Sequence, residues 1–118
     1  MNNSVYSCVA FSVVKHDYLA KAVQAHPSFE IVVVADNADV PDWVHQRNKQ
    51  FAIELGISYI PDLKKALKEF DIQVAVVSSE AERHCELSVQ ALQAGLHVVQ
   101  DKPMSTKITE CERVVTAV

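Results

Sequence analysis

The chain has 118 residues, enough for one core and too few for a nucleotide-binding domain plus a separate catalytic domain of ordinary size. Hydrophobic residues make up 49% and charged residues 22%, the composition of a globular domain, which excludes a disordered, collagen-like or highly charged chain. Eleven Lys plus Arg against fifteen Asp plus Glu leave a net charge of −4 with no basic run, so nucleic acid is not an expected partner.

Val5 to Val14 reads as a first strand through its β-branched and aromatic residues Val5, Val9, Phe11, Val13 and Val14. From Asp17, Leu19, Ala22, Val23 and His26 recur at helical spacing until Pro27 ends the segment. Glu30 to Asp36 is a continuous apolar run between polar ends, the pattern of a parallel strand covered on both faces. Pro41 and Asp42 lead into a helix over Trp43 to Leu55, with Gly56 placed for the left-handed conformation just beyond it. Ile57 to Ile60 gives a short strand, and Asp62 is positioned to cap a helix over Leu63 to Phe70. Gln73 to Ser78 is another buried strand. The helix predicted over Glu82 to Ala94 carries Cys85, Val89 and Leu92 on one stripe and Leu87, Ala91 and Ala94 on the next, with Gly95 as its stop. Leu96 to Gln100 forms a fifth strand, and Ile108, Cys111, Val114 and Val115 mark a last helix.

Strands alternating with helices at this spacing predict an α/β fold, because each parallel connection needs a crossover and crossovers are right-handed. The expectation is a doubly wound parallel sheet with helices on both faces, a Rossmann-like three-layer sandwich in a single domain over residues 1–118. Ligands bind such sheets outside the carboxyl ends of the strands. The residues to watch are therefore Val14 to Asp17, Asp36 and Asn37, Ser78 to Glu80, and Asp101 to Pro103.

Dinucleotide-binding sheets normally follow the first strand with G-x-G-x-x-G, whose glycines allow a tight turn and close approach to a pyrophosphate. Here the segment is Phe11-Ser12-Val13-Val14-Lys15-His16-Asp17, without glycine. Forcing a β-branched residue into left-handed geometry costs about 1–2 kcal/mol, so the turn is expected to take another shape. Lys15 and His16 either supply charge near a phosphate or are solvated surface groups. Asp17, as a helix N-cap, would take up N–H donors and set a negative charge where the phosphate belongs. Asp36 follows the expected start of the glycine turn by about 25 residues, which suits a carboxylate accepting from an adenosine ribose and favours NAD over NADP; the alternative is a plain polar turn at Asp36-Asn37.

Other residue classes add exclusions. Cys8, Cys85 and Cys111 are odd in number and widely spaced, as expected of reduced buried thiols. His16, His26, His45, His84 and His97 show no metal-ligand spacing, so no metal site is expected. Only Gly56 and Gly95 are present where average usage gives roughly eight glycines. The longest apolar runs, Ile31 to Ala35 and Val74 to Val77, fall short of the roughly 20 residues that span a bilayer. Met1-Asn2-Asn3-Ser4 lacks the positive flank of a signal peptide, so a cytoplasmic protein without membrane contact is expected.

The second half carries a family likeness. Val76-Val77-Ser78-Ser79-Glu80, then His84, then the run from Ala91 through Gly95-Leu96-His97-Val98-Val99-Gln100-Asp101-Lys102-Pro103, resembles the N-terminal domain of the Gfo/Idh/MocA oxidoreductases. With the strand order and the Asp36 strand end, the resemblance covers nearly the whole chain. It implies a nicotinamide dinucleotide across the strand ends, with NADP the less expected form on account of Asp36, in contact with Ser12, Val13, Val14, Asp36, Asn37, Ser78, Ser79, Glu80, His84, Asp101 and Pro103. It also implies Lys102 as the catalytic residue, steadying charge on a substrate oxygen or assisting proton transfer, with Asp101 in place of the usual Glu. For Lys102 the alternative is an exposed turn lysine. His84 either lines the nicotinamide side or is a surface or partly buried histidine, and the serines either shape the crevice or cap the next helix.

Two departures shape the functional expectation. The phosphate-binding glycines are missing, and family members carry a second domain that supplies much of the substrate pocket. The chain is therefore expected to be the N-terminal part of a longer protein that moves a hydride to or from a sugar-like or other polyol carbon, inactive alone and meeting its small-molecule substrate only with the missing domain. The competing expectation is a non-catalytic Rossmann-like interaction or regulatory module, since losing roughly 3 kcal/mol of pyrophosphate binding weakens affinity over a hundredfold. A domain for another nucleotide-containing ligand such as CoA is a third. A homo-oligomer remains open, because apolar surface bared by truncation also self-associates.

Overall fold

A computed structural model describes residues 5–14, 17–100 and 108–118. Its elements follow in chain order: β1 (Tyr6–Val13), α1 (Tyr18–Ala25), β2 (Phe29–Ala35), α2 (Asp42–Leu55), β3 (Ser58–Ile60), α3 (Leu63–Glu69), β4 (Val74–Ser78), α4 (His84–Gln93), β5 (His97–Gln100) and α5 (Ile108–Ala117). The strands form one parallel sheet in the order β3-β2-β1-β4-β5. The predicted doubly wound α/β architecture is what the chain adopts.

β1 lies at the centre of the sheet, and Cys8, Val9, Ala10 and Phe11 are all fully buried. An unbroken apolar run suits this place because both faces of a parallel sheet are covered by crossover helices. On one face Val9, Phe11, Val33, Ala75 and Val77 pack with Leu63 and Ala66 of α3 and Leu87 and Ala91 of α4. On the other, Cys8, Ala10, Ile31, Val34 and Val76 pack with Ala20 of α1 and Phe51 and Ala52 of α2. The second stripe of α4, Cys85, Val89 and Leu92, packs on Val114 and Ala117 of α5, so its two stripes serve two different neighbours.

The stop signals at Gly56 and Gly95 and the cap at Asp62 hold. Gly56 and Gly95 take φ of 69° and 86°, ending α2 and following α4. Asp62 Oδ1 accepts from the Lys65 N–H at 3.2 Å at the start of α3. Most of the predicted ends shift by a residue, and the start of α4 by more: a 3-10 turn over Ala81–Arg83 precedes the helix, which begins at His84 rather than Glu82. Ser79 does not cap it; its hydroxyl donates to the Glu80 carbonyl at 3.0 Å.

Candidate functional site

β2 lies on one side of β1 and β4 on the other, so sheet growth reverses at β1 and a crevice is expected outside the carboxyl ends of these strands. At the exit of β1, Ser12 has φ 69°, the one positive φ outside glycine among the described residues. This corrects the expectation that the turn avoids left-handed geometry. The strained position falls on serine, whose Cβ is unbranched, and the two valines that follow it, Val13 and Val14, are spared. The reversal also turns Val13 into the cluster of the α1 and α2 face, whereas strict alternation from Phe11 would send it to the other.

The backbone leaving β1 is tied inward. The Val13 N–H donates to Asn48 Oδ1 at 2.8 Å, and the Val14 N–H to the Ser78 carbonyl at 3.3 Å. Arg47 Nε donates to the Val14 carbonyl at 3.1 Å. Asp17 sits at the cap position of α1 yet makes no side-chain cap bond, a second correction. Its backbone has φ −98° and ψ −1° rather than the extended cap geometry, and its carboxylate pairs instead with Lys21 Nζ at 2.8 Å. The hydrogen bond from Lys21 holds the Asp17 carboxyl below its usual range.

Asp36, just past β2, is fully buried and carries the densest polar network of the molecule's described part. Its Oδ1 accepts from the Asn37 N–H at 2.8 Å and from Arg83 Nη2 in a short ion pair. Its Oδ2 accepts from Asn48 Nδ2 at 2.8 Å. Arg83 Nη1 also pairs with Glu80 Oε1 at 3.1 Å. Burial works against the Arg83 charge, but the bond and charge of Asp36, helped by Glu80, outweigh it and raise the guanidinium above its ordinary value. Asn48 reaches Tyr59 Oη at 3.4 Å, and Tyr59 Oη lies 2.6 Å from His45 Nδ1. Burial pushes the Tyr59 phenol up to about 12.

Arg83, Asn48 and Tyr59 were not among the residues singled out from sequence. Asn48 left a signal, since it lies on the buried stripe of α2 with Val44, Phe51 and Ala52. A polar residue on such a stripe needs buried partners. Arg83 left none, because the turn before α4 gives no hint of what it faces.

At the exit of β4, Ser78 is fully buried, and its hydroxyl, like that of Ser12, has no hydrogen-bond partner among the described residues. His84 is also buried, with Nε2 2.8 Å from the Ser79 carbonyl. Asn37 Nδ2 donates to Gln90 Oε1 at 3.4 Å. Beside the Asp36 corner, a shallow cavity of about 190 Å³ is lined by Asn37, Asp39, Val40, Pro41, Arg83 and Glu86. Ser12, Val13, Val14, Asp36, Asn37, Ser78, Ser79, Glu80 and His84 thus gather at one end of the sheet. Lys15, His16, Asp101, Lys102 and Pro103 lie outside the described residues. Cys8 and Cys85 are both buried, with burial raising the Cys8 thiol. Among the described residues no cluster of His, Cys, Asp and Glu can hold a metal, and no helix is long and apolar enough to cross a membrane.

Residues 11–118 match the model of the Gfo/Idh/MocA oxidoreductase family, NAD-binding Rossmann fold. The chain belongs to this family. It is 25% identical over 109 residues to inositol 2-dehydrogenase of Salmonella typhimurium, covering 92% of this chain and 31% of that protein. It is 29% identical over 92 residues to a dTDP-3,4-didehydro-2,6-dideoxy-alpha-D-glucose 3-reductase of Actinomadura kijaniata, covering 78% of this chain and 26% of that enzyme. Among solved structures, a 3-ketoreductase from Actinomadura kijaniata in complex with NADP and TDP-benzene superposes with a TM-score of 0.77 at 22% identity, over 97% of this chain and 35% of that one. The Gfo/Idh/MocA chain described here therefore spans about a third of the length of the relatives it matches.

Proposed function

We propose that this chain is the dinucleotide-binding portion of an oxidoreductase acting on a sugar-like or other polyol carbon, with a further domain completing the substrate pocket. The observation that carries the reading is the left-handed Ser12 at the exit of the central strand. It reproduces without glycine the backbone reversal that lets a chain pass close to a pyrophosphate. Two orphaned hydroxyls fit a polar ligand there. Ser12 Oγ and Ser78 Oγ lie at the ends of the two strands that flank the switch point, and unpaired buried hydroxyls are costly unless something uses them.

On this reading Ser12, Val13 and Val14 approach the pyrophosphate, and Asp36 and Asn37 form the adenosine-ribose corner. Ser78, Ser79, Glu80 and His84 shape the crevice toward the nicotinamide. The cofactor supplies the hydride chemistry, and the protein orients it and excludes water. Lys102 steadies negative charge on the substrate oxygen or moves a proton to it. Asp36 and its acidic neighbours Asp39, Glu80 and Glu86 outnumber the single guanidinium of Arg83 at this corner and disfavour a 2′-phosphate, which supports NAD over NADP.

Titration of the chain with NADH and with NADPH, followed by nicotinamide fluorescence, tests this. Saturable NADH binding, stronger than NADPH, is expected. No binding of either up to millimolar concentration by a folded chain would favour the non-catalytic module instead.

A further inference from the structure

We propose that Arg83 is a latch over the adenosine-ribose corner, so that a dinucleotide engages Asp36 only after the guanidinium swings away. The inference rests on the dinucleotide-binding reading above. A carboxylate offers about four lone-pair sites. Three on Asp36 are taken, by the Asn37 N–H, Asn48 Nδ2 and Arg83 Nη2. A ribose diol needs two, so one present partner must leave.

The three partners are not equally able to go. The Asn37 N–H is backbone of the adjoining residue. Asn48 is fully buried in α2, with its other end holding the Val13 N–H. Arg83 sits on a 3-10 turn, its side chain is 17% exposed against 0% for Asp36, and it lines the open cavity beside Asn37. Its second bond, to the partly exposed Glu80 on the same turn, offers a resting place away from Asp36. The guanidinium is the movable lid, and Asp36 with Asn48 is the fixed floor.

Opening the latch breaks one charge-assisted bond, which corresponds to about a ten- to hundredfold loss of affinity. Arg83→Ala is therefore expected to tighten NADH binding at least tenfold. NADPH should not gain, because without Arg83 its 2′-phosphate faces Asp36, Asp39, Glu80 and Glu86 with no compensating charge. The gain should vanish in an Asp36→Asn background, since it depends on a carboxylate set free. A readout that a merely structural arginine would not move is hydrogen exchange at the Arg83 guanidinium, measured by NMR: protected in the free chain and exchanging with saturating NADH.

Circular dichroism confirms folding of each variant, and Arg83→Gln, which keeps an uncharged donor, replaces Arg83→Ala if the latter does not fold. It is then expected to give a smaller gain in the same direction. If the native chain binds NADH while the Arg83 variant binds it equally or more weakly, or guanidinium protection persists in the complex, the latch is overturned and the dinucleotide reading stands. If neither folded protein binds NADH or NADPH, both fall together.

Discussion

Replacing Asn48 with Ala removes the amide that joins the ends of β1 and β2, and the structure sets the size of the effect. The Val13 N–H, bonded to Asn48 Oδ1 at 2.8 Å, loses its acceptor in a site where Val13 is buried. An orphaned buried donor costs about 1–3 kcal/mol, and a lost hydrogen bond to a charged group about 1.5–3 kcal/mol, here the bond from Nδ2 to Asp36. Because the two share one side chain, about 3–5 kcal/mol is expected in total, a large part of the roughly 5–15 kcal/mol that stabilises a domain. Urea unfolding followed by circular dichroism measures it. Asn48→Asp keeps the shape but sets a second carboxylate against Asp36. That like-charge pair holds a proton in the folded state above the unfolded carboxyl range, so the folded state binds more protons and the variant should regain stability, relative to the native chain, as pH falls from 7 toward 5. A loss under about 1 kcal/mol for Asn48→Ala, with an unchanged denaturant slope, would refute the claim that this buried network holds the strand ends.

Ser12→Gly should stabilise the chain by about 1 kcal/mol, since relief of left-handed strain and of an orphaned hydroxyl exceeds the roughly 0.5–1 kcal/mol that glycine loses in backbone entropy; Ser12→Val should destabilise it, and equal midpoints in urea for all three would rule out strain at this turn. Tyr59, whose folded pKa of about 12 lies above its ordinary value near 10, contributes stability that is complete below pH 10 and lost as pH rises toward 12, at no more than ~1.4 kcal/mol per pH unit and less for a half-buried phenol. Subtracting a Tyr59→Phe titration from the native one should isolate that slope, and two parallel curves would contradict it. Asp17→Ala should change the melting midpoint little, because the Asp17–Lys21 pair is exposed and Asp17 does not cap α1; a marked drop would mean the carboxylate does more than pair with Lys21.

Much of the framework is readable along the chain because its causes are local. The runs Ile31 to Ala35 and Val74 to Val77 can be satisfied only between two helical layers, and Gly56, Gly95 and Asp62 mark ends and caps through their own backbone or side-chain chemistry. The two stripes of α4 announce two neighbours, though not that the second is α5. Asp36 was legible as a strand-end carboxylate for the same local reason.

The residue pattern by itself determined the alternation of elements, the parallel sheet and the set of strand ends that converge, since periodicity and crossover handedness leave little choice. Tertiary structure alone decided what those ends do. That Ser12 carries the left-handed turn depends on β1 being clamped between β2 and β4, and that Asp36 is sealed depends on Arg83 arriving from 47 residues away. Partners at such distance meet only when packing brings them together, and a buried charge takes its chemistry from the groups that packing supplies.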